Sequence, residues 1–193
     1  ADTPSSWPRW RGPRGDGHST QTVLPGEWSG SNVAWKTPLP GEGNSTPITW
    51  DDRVFLTCPL DGGKVRRLIC LDRNNGKVLW TQEAHYGFRH NAIVAGDGML
   101  YAIDRLPDTI VTLMLRRGRK PTGKPRLVAY EARTGKEAWS TTEGVFGTWL
   151  GYSKDHKLLL QCGRPARDML RDEPADRMIV YRGNDGKIRW DKK

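Results

Sequence analysis

No apolar run in this chain approaches the ~20 residues that a membrane-spanning helix needs, and no basic-then-apolar leader opens it. The chain therefore reads as a mature, exported one, with Ala1-Asp2 suited to a cut after a small-residue site. Only three cysteines are present, and none forms a CxxC or Cys-Cys pair, which leaves out a disulfide framework, thioredoxin-like redox chemistry and haem attachment. Cys58 and Cys70 fall on strands expected to be neighbours, in a register that turns them to opposite faces. Buried free thiols are the expectation for both. Signatures of a nucleophile elbow, a zinc protease, a phosphate-binding loop or a dinucleotide fold are all missing. No 3.6-residue apolar stripe of useful length appears, which excludes a helical solenoid. Phenylalanine is scarce, at three residues against nine tryptophans, and that imbalance needs a cause.

The cause is a repeat. Leu68-Ile-Cys-Leu-Asp-Arg-Asn-Asn-Gly-Lys-Val-Leu-Trp80 returns as Leu127-Val-Ala-Tyr-Glu-Ala-Arg-Thr-Gly-Lys-Glu-Ala-Trp139 and as Met178-Ile-Val-Tyr-Arg-Gly-Asn-Asp-Gly-Lys-Ile-Arg-Trp190. Each copy is an apolar strand, a Gly-Lys turn and a strand bearing Trp at a fixed offset. Asn75-Gly76 and Asp185-Gly186 are dipeptides that favour a two-residue type I′ hairpin, and Thr134-Gly135 is the weaker version.

Spacing extends the unit. Trp35 lies 17 residues before Asp52, Trp80 lies 17 before Asp97, and Trp139 lies 16 before Asp155, each aspartate sitting in a polar turn. Each full unit therefore reads as four short strands, A to D, with an Asp turn between A and B and the Gly-Lys turn between C and D. Trp35 marks a fourth D strand whose earlier strands are not in this stretch. From Gly-Lys turn to next Asp turn the counts are 21 and 20, whereas from Asp turn to Gly-Lys turn they are 24, 38 and 31. All the variation lies in the B-to-C connections, so the insertions emerge on one face of the assembled fold.

Four antiparallel strands repeated in phase, with Trp in the outermost, describe blades of an all-β β-propeller, with a β-sandwich as the competing architecture. The expected organisation is an irregular arm over residues 1–31 with its Trp rings buried, then an outer strand over 32–40 that closes the last blade. Blade 1 follows over 41–86, blade 2 over 87–144 with a long insertion at 105–125, and blade 3 over 145–193 with an insertion at 163–177. Arg14-Gly15-Asp16 reads as a glycine turn rather than an adhesion tripeptide, and the sequon at Asn44 is equally unspecific.

The net charge is +9, from 31 Lys and Arg against 22 Asp and Glu, so an acidic partner is physically admissible. Arg116, Arg117, Arg119, Lys120, Lys124 and Arg126 crowd into one insertion as a candidate anionic-partner patch, with a solvated hairpin as the plainer reading. No aromatic side chain is interleaved to stack bases, which disfavours nucleic acid. On the face shared by D-to-A and B-to-C loops, His85, Arg89, His90 and Asn91 fill one loop, with Asn44 and Thr148 at matching positions on its neighbours. Arg164 and Arg167 belong to the third insertion, read either as an ion-paired lid or as a polar loop. These eight are the candidate ligand-binding residues; the two histidines with Arg89 between them read as an anion-binding pair or an acid-base group near neutral pH, with surface or hydrogen-bonded loop histidines as the plainer reading. They would hold a metal only with help from other blades, so no metal site is assigned.

The pattern Ala-x-Asp-x-x-x-Gly-Lys-x-x-Trp resembles the tryptophan-docking motif of the pyrroloquinoline quinone (PQQ)-type β-propellers. It stands here on Gly76, Lys77 and Trp80, on Gly135, Lys136 and Trp139, and on Gly186, Lys187 and Trp190, with the Ala and Asp half decayed. Trp10-Arg-Gly-Pro-Arg-Gly-Asp-Gly17 and the segment around Trp35 are similar to the opening of secreted bacterial PQQ-like repeat proteins. The resemblance implies a ring of eight blades, with Trp35, Trp80, Trp139 and Trp190 stacking between blades. One subgroup, the quinoprotein dehydrogenases, carries PQQ and calcium and commonly a Cys-Cys disulfide, which this chain does not have. The other, BamB-like subgroup lacks the cofactor and acts by binding proteins. The expectation is thus an exported, periplasmic or extracellular, non-catalytic binding or scaffolding propeller for protein or polysaccharide. Its ring would be completed by blades from a missing segment or second chain. The alternatives are a PQQ- and calcium-dependent oxidoreductase whose catalytic residues lie elsewhere, and a polysaccharide-degrading propeller.

Overall fold

A computed structural model describes residues 6–20, 26–147, 149–163, 174 and 176–193. The first repeat unit becomes strands β1 (Ile48–Trp50), β2 (Arg53–Leu60), β3 (Val65–Asp72) and β4 (Val78–Glu83). The second becomes β5 (Phe88–Gly96), β6 (Met99–Asp104), β7 (Arg126–Glu131) and β8 (Glu137–Thr141). The third becomes β9 (Trp149–Ser153), β10 (Leu158–Cys162), β11 (Met178–Arg182) and β12 (Ile188–Lys192). Each unit closes into its own four-stranded antiparallel sheet in chain order, and no strand crosses between sheets.

The middle sheet is buried on both faces, which is why its strands read as continuous apolar runs rather than alternating ones. One face of β5–β7, carrying Ile93, Leu100, Val128 and Tyr130, packs with Ile48, Phe55, Leu68 and Cys70 of the first sheet. The opposite face, carrying Val94, Tyr101, Ile103 and Leu127, packs with Leu150, Leu159, Ile179 and Tyr181 of the third. Cys58 and Cys70 are free and buried in separate clusters, on opposite faces of the first sheet as the register requires.

Turn chemistry differs from the expectation in one respect. In each Gly-Lys turn only the glycine is left-handed, at φ 73° for Gly76, 72° for Gly135 and 69° for Gly186. The physical reason is a side-chain cap: Asp72 accepts hydrogen bonds from the backbone N–H of Asn74 at 2.7 Å and of Asn75 at 3.3 Å, which favours a wider turn over the tight I′ form. The Gly76 N–H then closes the turn on the Asp72 carbonyl at 2.8 Å. A two-residue turn with both φ values positive does occur, but between A and B, at Asp97 (51°) and Gly98 (76°).

Tryptophan joins one sheet to the next. The Trp35 indole N–H donates to the Arg73 carbonyl at 2.7 Å, Trp80 to Ala132 at 3.1 Å and Trp139 to Gly183 at 2.9 Å. Each ring lies on the turn glycine of the following unit: a Cβ on Gly76, Gly135 or Gly186 would stand 2.4, 2.7 or 2.5 Å from the indole. Trp190, in the same register as its counterparts, meets no such turn among the described residues and is 38% exposed. The segment 33–40 forms no strand, because no described strand pairs with it; it is held through Trp35 and through Thr37, whose hydroxyl donates to the Gly76 carbonyl at 2.6 Å.

Two expectations are corrected. Within the 105–125 insertion, residues Asp108–Arg116 form a helix, α1, so the insertion is not a plain hairpin. Its Ile110, Leu113 and Met114 do follow helical spacing, but over nine residues that is too short a stripe to stand out. In the arm, Trp7 and Trp10 are half-buried, whereas Trp28 is 73% exposed. The arm adds one bridge to the free edge of β1 and another to β5, through Trp7 with Thr49 and Arg9 with Val94. Covering bare edges in this way removes unpaired backbone groups.

Candidate functional site

Two loops meet where the first sheet faces the second. The chain entering β1 passes Gly41-Glu42-Gly43, pressed so close to Pro59 at the end of β2 that a Cβ on Gly41 would lie 1.9 Å from the Pro59 carbonyl oxygen. Only glycine permits that approach. Ser45 then ties both sheets together: its hydroxyl donates to the His90 carbonyl at 3.0 Å and accepts from the Thr57 N–H at 3.0 Å. Asn91 accepts from the Thr46 N–H at 3.4 Å.

Beneath these ties lies an open cleft of about 310 Å³, lined by Glu42, Asn44, Ser45, Thr57, Arg66 and His90, with Pro59 half-buried beside the fully buried Phe88. Arg66 is its most unusual group. The guanidinium is half-buried, its Nη1 donates to the Phe88 carbonyl at 3.1 Å, and its Nε is sealed from solvent without a hydrogen-bond partner. Burial pushes its pKa below the usual value, with no carboxylate close enough to pull it back.

The loop between β4 and β5 is fixed from inside. Asp104, fully buried at the end of β6, accepts from the backbone N–H of His85 at 2.9 Å, Tyr86 at 2.9 Å and Gly87 at 2.6 Å, and from Arg126 Nε at 3.0 Å. Arg126 also reaches Glu137 at 2.8 Å and the Tyr130 hydroxyl at 3.3 Å. At 7% exposure it is a buried structural cation, and so leaves the anionic-partner patch in which the sequence grouped it. Charge crowding is visible along a sequence, but the inward turn of β7 is not. The other five, Arg116, Arg117, Arg119, Lys120 and Lys124, are exposed around the end of α1.

Of the eight candidate ligand residues, the structure brings Asn44 and His90 together at the cleft, with Asn91 in its frame. His85 points its backbone at Asp104 instead, and Arg89 is buried at 2% exposure away from the cleft wall. Thr148, Arg164 and Arg167 lie outside the described residues, as does most of the expected lid at 163–177; its described end, Arg177, pairs with Asp191 at 2.5 Å. Sequence reasoning passed over Arg66, Thr57 and Glu42. The Arg66-Arg67 doublet opening an otherwise apolar strand was the available signal.

Among the described residues no three His, Cys, Asp or Glu side chains converge as a metal site. The cysteines lie apart, so the described residues do not fit a calcium-and-quinone centre.

No family model matches this chain, and no curated protein matches it. Solved structures do. BamB from Moraxella catarrhalis is similar at 12% identity and a TM-score of 0.48, over 74% of this chain and 34% of that one. A europium-containing methanol dehydrogenase is similar at 15% identity and 0.47, over 77% and 31%. A quinohemoprotein alcohol dehydrogenase from Comamonas testosteroni is similar at 14% identity and 0.46, over 76% and 26%. The resemblance is to the PQQ-like β-propeller fold, which the three four-stranded sheets match over a partial region. This chain spans about a third or less of the length of those structures.

Proposed function

We propose that the three sheets are consecutive blades of a larger, eight-bladed exported propeller, and that this part of it serves as a non-catalytic binding or scaffolding module for protein or polysaccharide. The observation that carries the reading is the docking series. Three tryptophans are each seated on the turn of the next unit, while Trp190 presents the same ring to solvent on a face that also exposes Met178. At the other end, segment 33–40 is held by Trp35 but lacks a paired strand. A further blade fits each end. A second copy of this chain does not, since its Gly76 is already covered by its own Trp35.

Binding, rather than catalysis, is supported by how the polar groups are used. The loop between β4 and β5 is held by its backbone N–H groups on Asp104, whose charge Arg126 balances inside the protein, and the cleft beside it offers amide, hydroxyl and guanidinium groups on a rigid frame. Such a set recognises polar ligands without supplying a nucleophile and base in contact.

The test is reconstitution with PQQ and calcium, followed by absorbance and dye-linked alcohol oxidation. The proposal expects neither a bound-quinone spectrum nor turnover. Stoichiometric quinone binding with turnover would overturn it in favour of an oxidoreductase.

A further inference from the structure

The cleft between the first two sheets holds a cation that is ion-paired to no carboxylate among the described residues. Among the described residues Arg66 forms no ion pair, its Nη1 donates to the main-chain carbonyl of Phe88, and one guanidinium N–H is sealed away unused. Arg126, by contrast, has Asp104 and Glu137, and Arg53, whose Nε is sealed and unused in the same way, has Asp52. A desolvated guanidinium without a carboxylate is costly, and it is retained where an anion arrives from outside.

From this we infer that the cleft is a binding site for the carboxylate of an acidic sugar, a uronic acid residue of an anionic polysaccharide, with Arg66 as the carboxylate-binding residue. The volume, about 310 Å³, suits a group of monosaccharide size. Around Arg66 stand groups that match the rest of such a ring. Asn44 offers an exposed amide for hydroxyls, Glu42 accepts from them, and the half-buried Pro59 ring gives apolar surface for the C–H face of a pyranose. The frame is already set before a ligand arrives, because Ser45 is bonded to both Thr57 and His90. Preorganisation of this kind lowers the entropic cost of binding. The chain's net charge of +9 adds long-range attraction for a polyanion. An acidic peptide shares the carboxylate but makes no use of the amide or of the hydroxyl acceptor at Glu42.

This inference names a ligand for the non-catalytic module proposed above and rests on that reading. The experiment is isothermal titration of the purified chain with tetragalacturonate, its neutral methyl ester and tetra-aspartate. Tetragalacturonate should bind at least tenfold more tightly than the other two, Arg66→Gln should weaken it at least tenfold, and Asn44→Ala should weaken it severalfold. Equal affinity for ester and acid, unchanged affinity in Arg66→Gln, or preference for tetra-aspartate would each overturn the assignment. Should Arg66→Gln fail to fold, the Arg66 side-chain NMR signals of the unmodified chain decide. A shift on adding tetragalacturonate supports the site, and no shift at saturation refutes it. Quinone turnover with uronate binding intact would sink the non-catalytic reading alone, while absent uronate binding without quinone chemistry would sink this inference alone.

Discussion

Trp80 lies flat against Gly135, a residue of the next sheet, and donates its indole N–H to Ala132 at 3.1 Å. The contact requires two things of Gly135: a φ of 72° and the absence of a Cβ, which would come within 2.7 Å of the ring. Gly135→Ala should therefore combine backbone strain with a clash and cost about 2–4 kcal/mol. Trp80→Ala should cost about 3 kcal/mol or more through lost burial. Trp190→Ala, identical in sequence context but undocked, should cost about 1 kcal/mol or less. Urea denaturation of the three variants checks the order.

Asp104 holds four donors while fully buried. Asp104→Asn removes the charge that Arg126 faces and turns two acceptors into one acceptor and one donor. The expected loss is about 3–5 kcal/mol, the usual cost of breaking a buried pair on one side. Hydrogen exchange should show the Gly87 amide deprotected before the strands open.

Asp97 of the second sheet joins Lys157 of the third at 2.5 Å and Tyr152 at 2.8 Å. The Lys157 hydrogen bond, chiefly, holds the Asp97 carboxyl below its ordinary value, against a smaller opposing effect of burial. A depressed folded pKa means stability that is present above the unfolded value of 3.8 and is lost as pH falls through the lower folded one. The slope of stability against pH below about 4 should thus be shallower in Asp97→Asn than in the wild type, measured by denaturation at fixed ionic strength.

Burial pushes the Cys70 thiol up to about 12, and Cys58 is buried with it. Thiolate is the reactive form, so Cys70 should resist a disulfide reagent at pH 8 in the folded chain, and Cys58 should resist it because burial bars access. Cys162, half-buried, should react first. Adding denaturant should release all three.

The blades were legible in the sequence because a packing device repeats: Gly, Lys and Trp at fixed offsets mark each turn and each docked ring, and Asp marks the opposite hairpin. What escaped was set by contacts that a repeat does not encode. Asp72 caps its own turn with a side-chain oxygen and so displaces the I′ form. The α1 helix occupies a single insertion, where no second copy exists for comparison. At the site, Asn44 and His90 could be found from matching loop positions. Arg66 could not, because its isolation comes from which neighbours the fold withholds, and Arg126 looked exposed until Asp104 was placed beside it.

Tryptophans join the sheets, and the series is left open at its last member. Solvent exchange of the indole N–H protons, read by nitrogen-15 NMR, tests it directly. The account predicts protected signals for Trp35, Trp80 and Trp139 and rapid exchange for Trp190, which becomes protected when a polypeptide carrying the next blade is added. A Trp190 signal as protected as the other three in the isolated chain, or an unprotected Trp80, would contradict it.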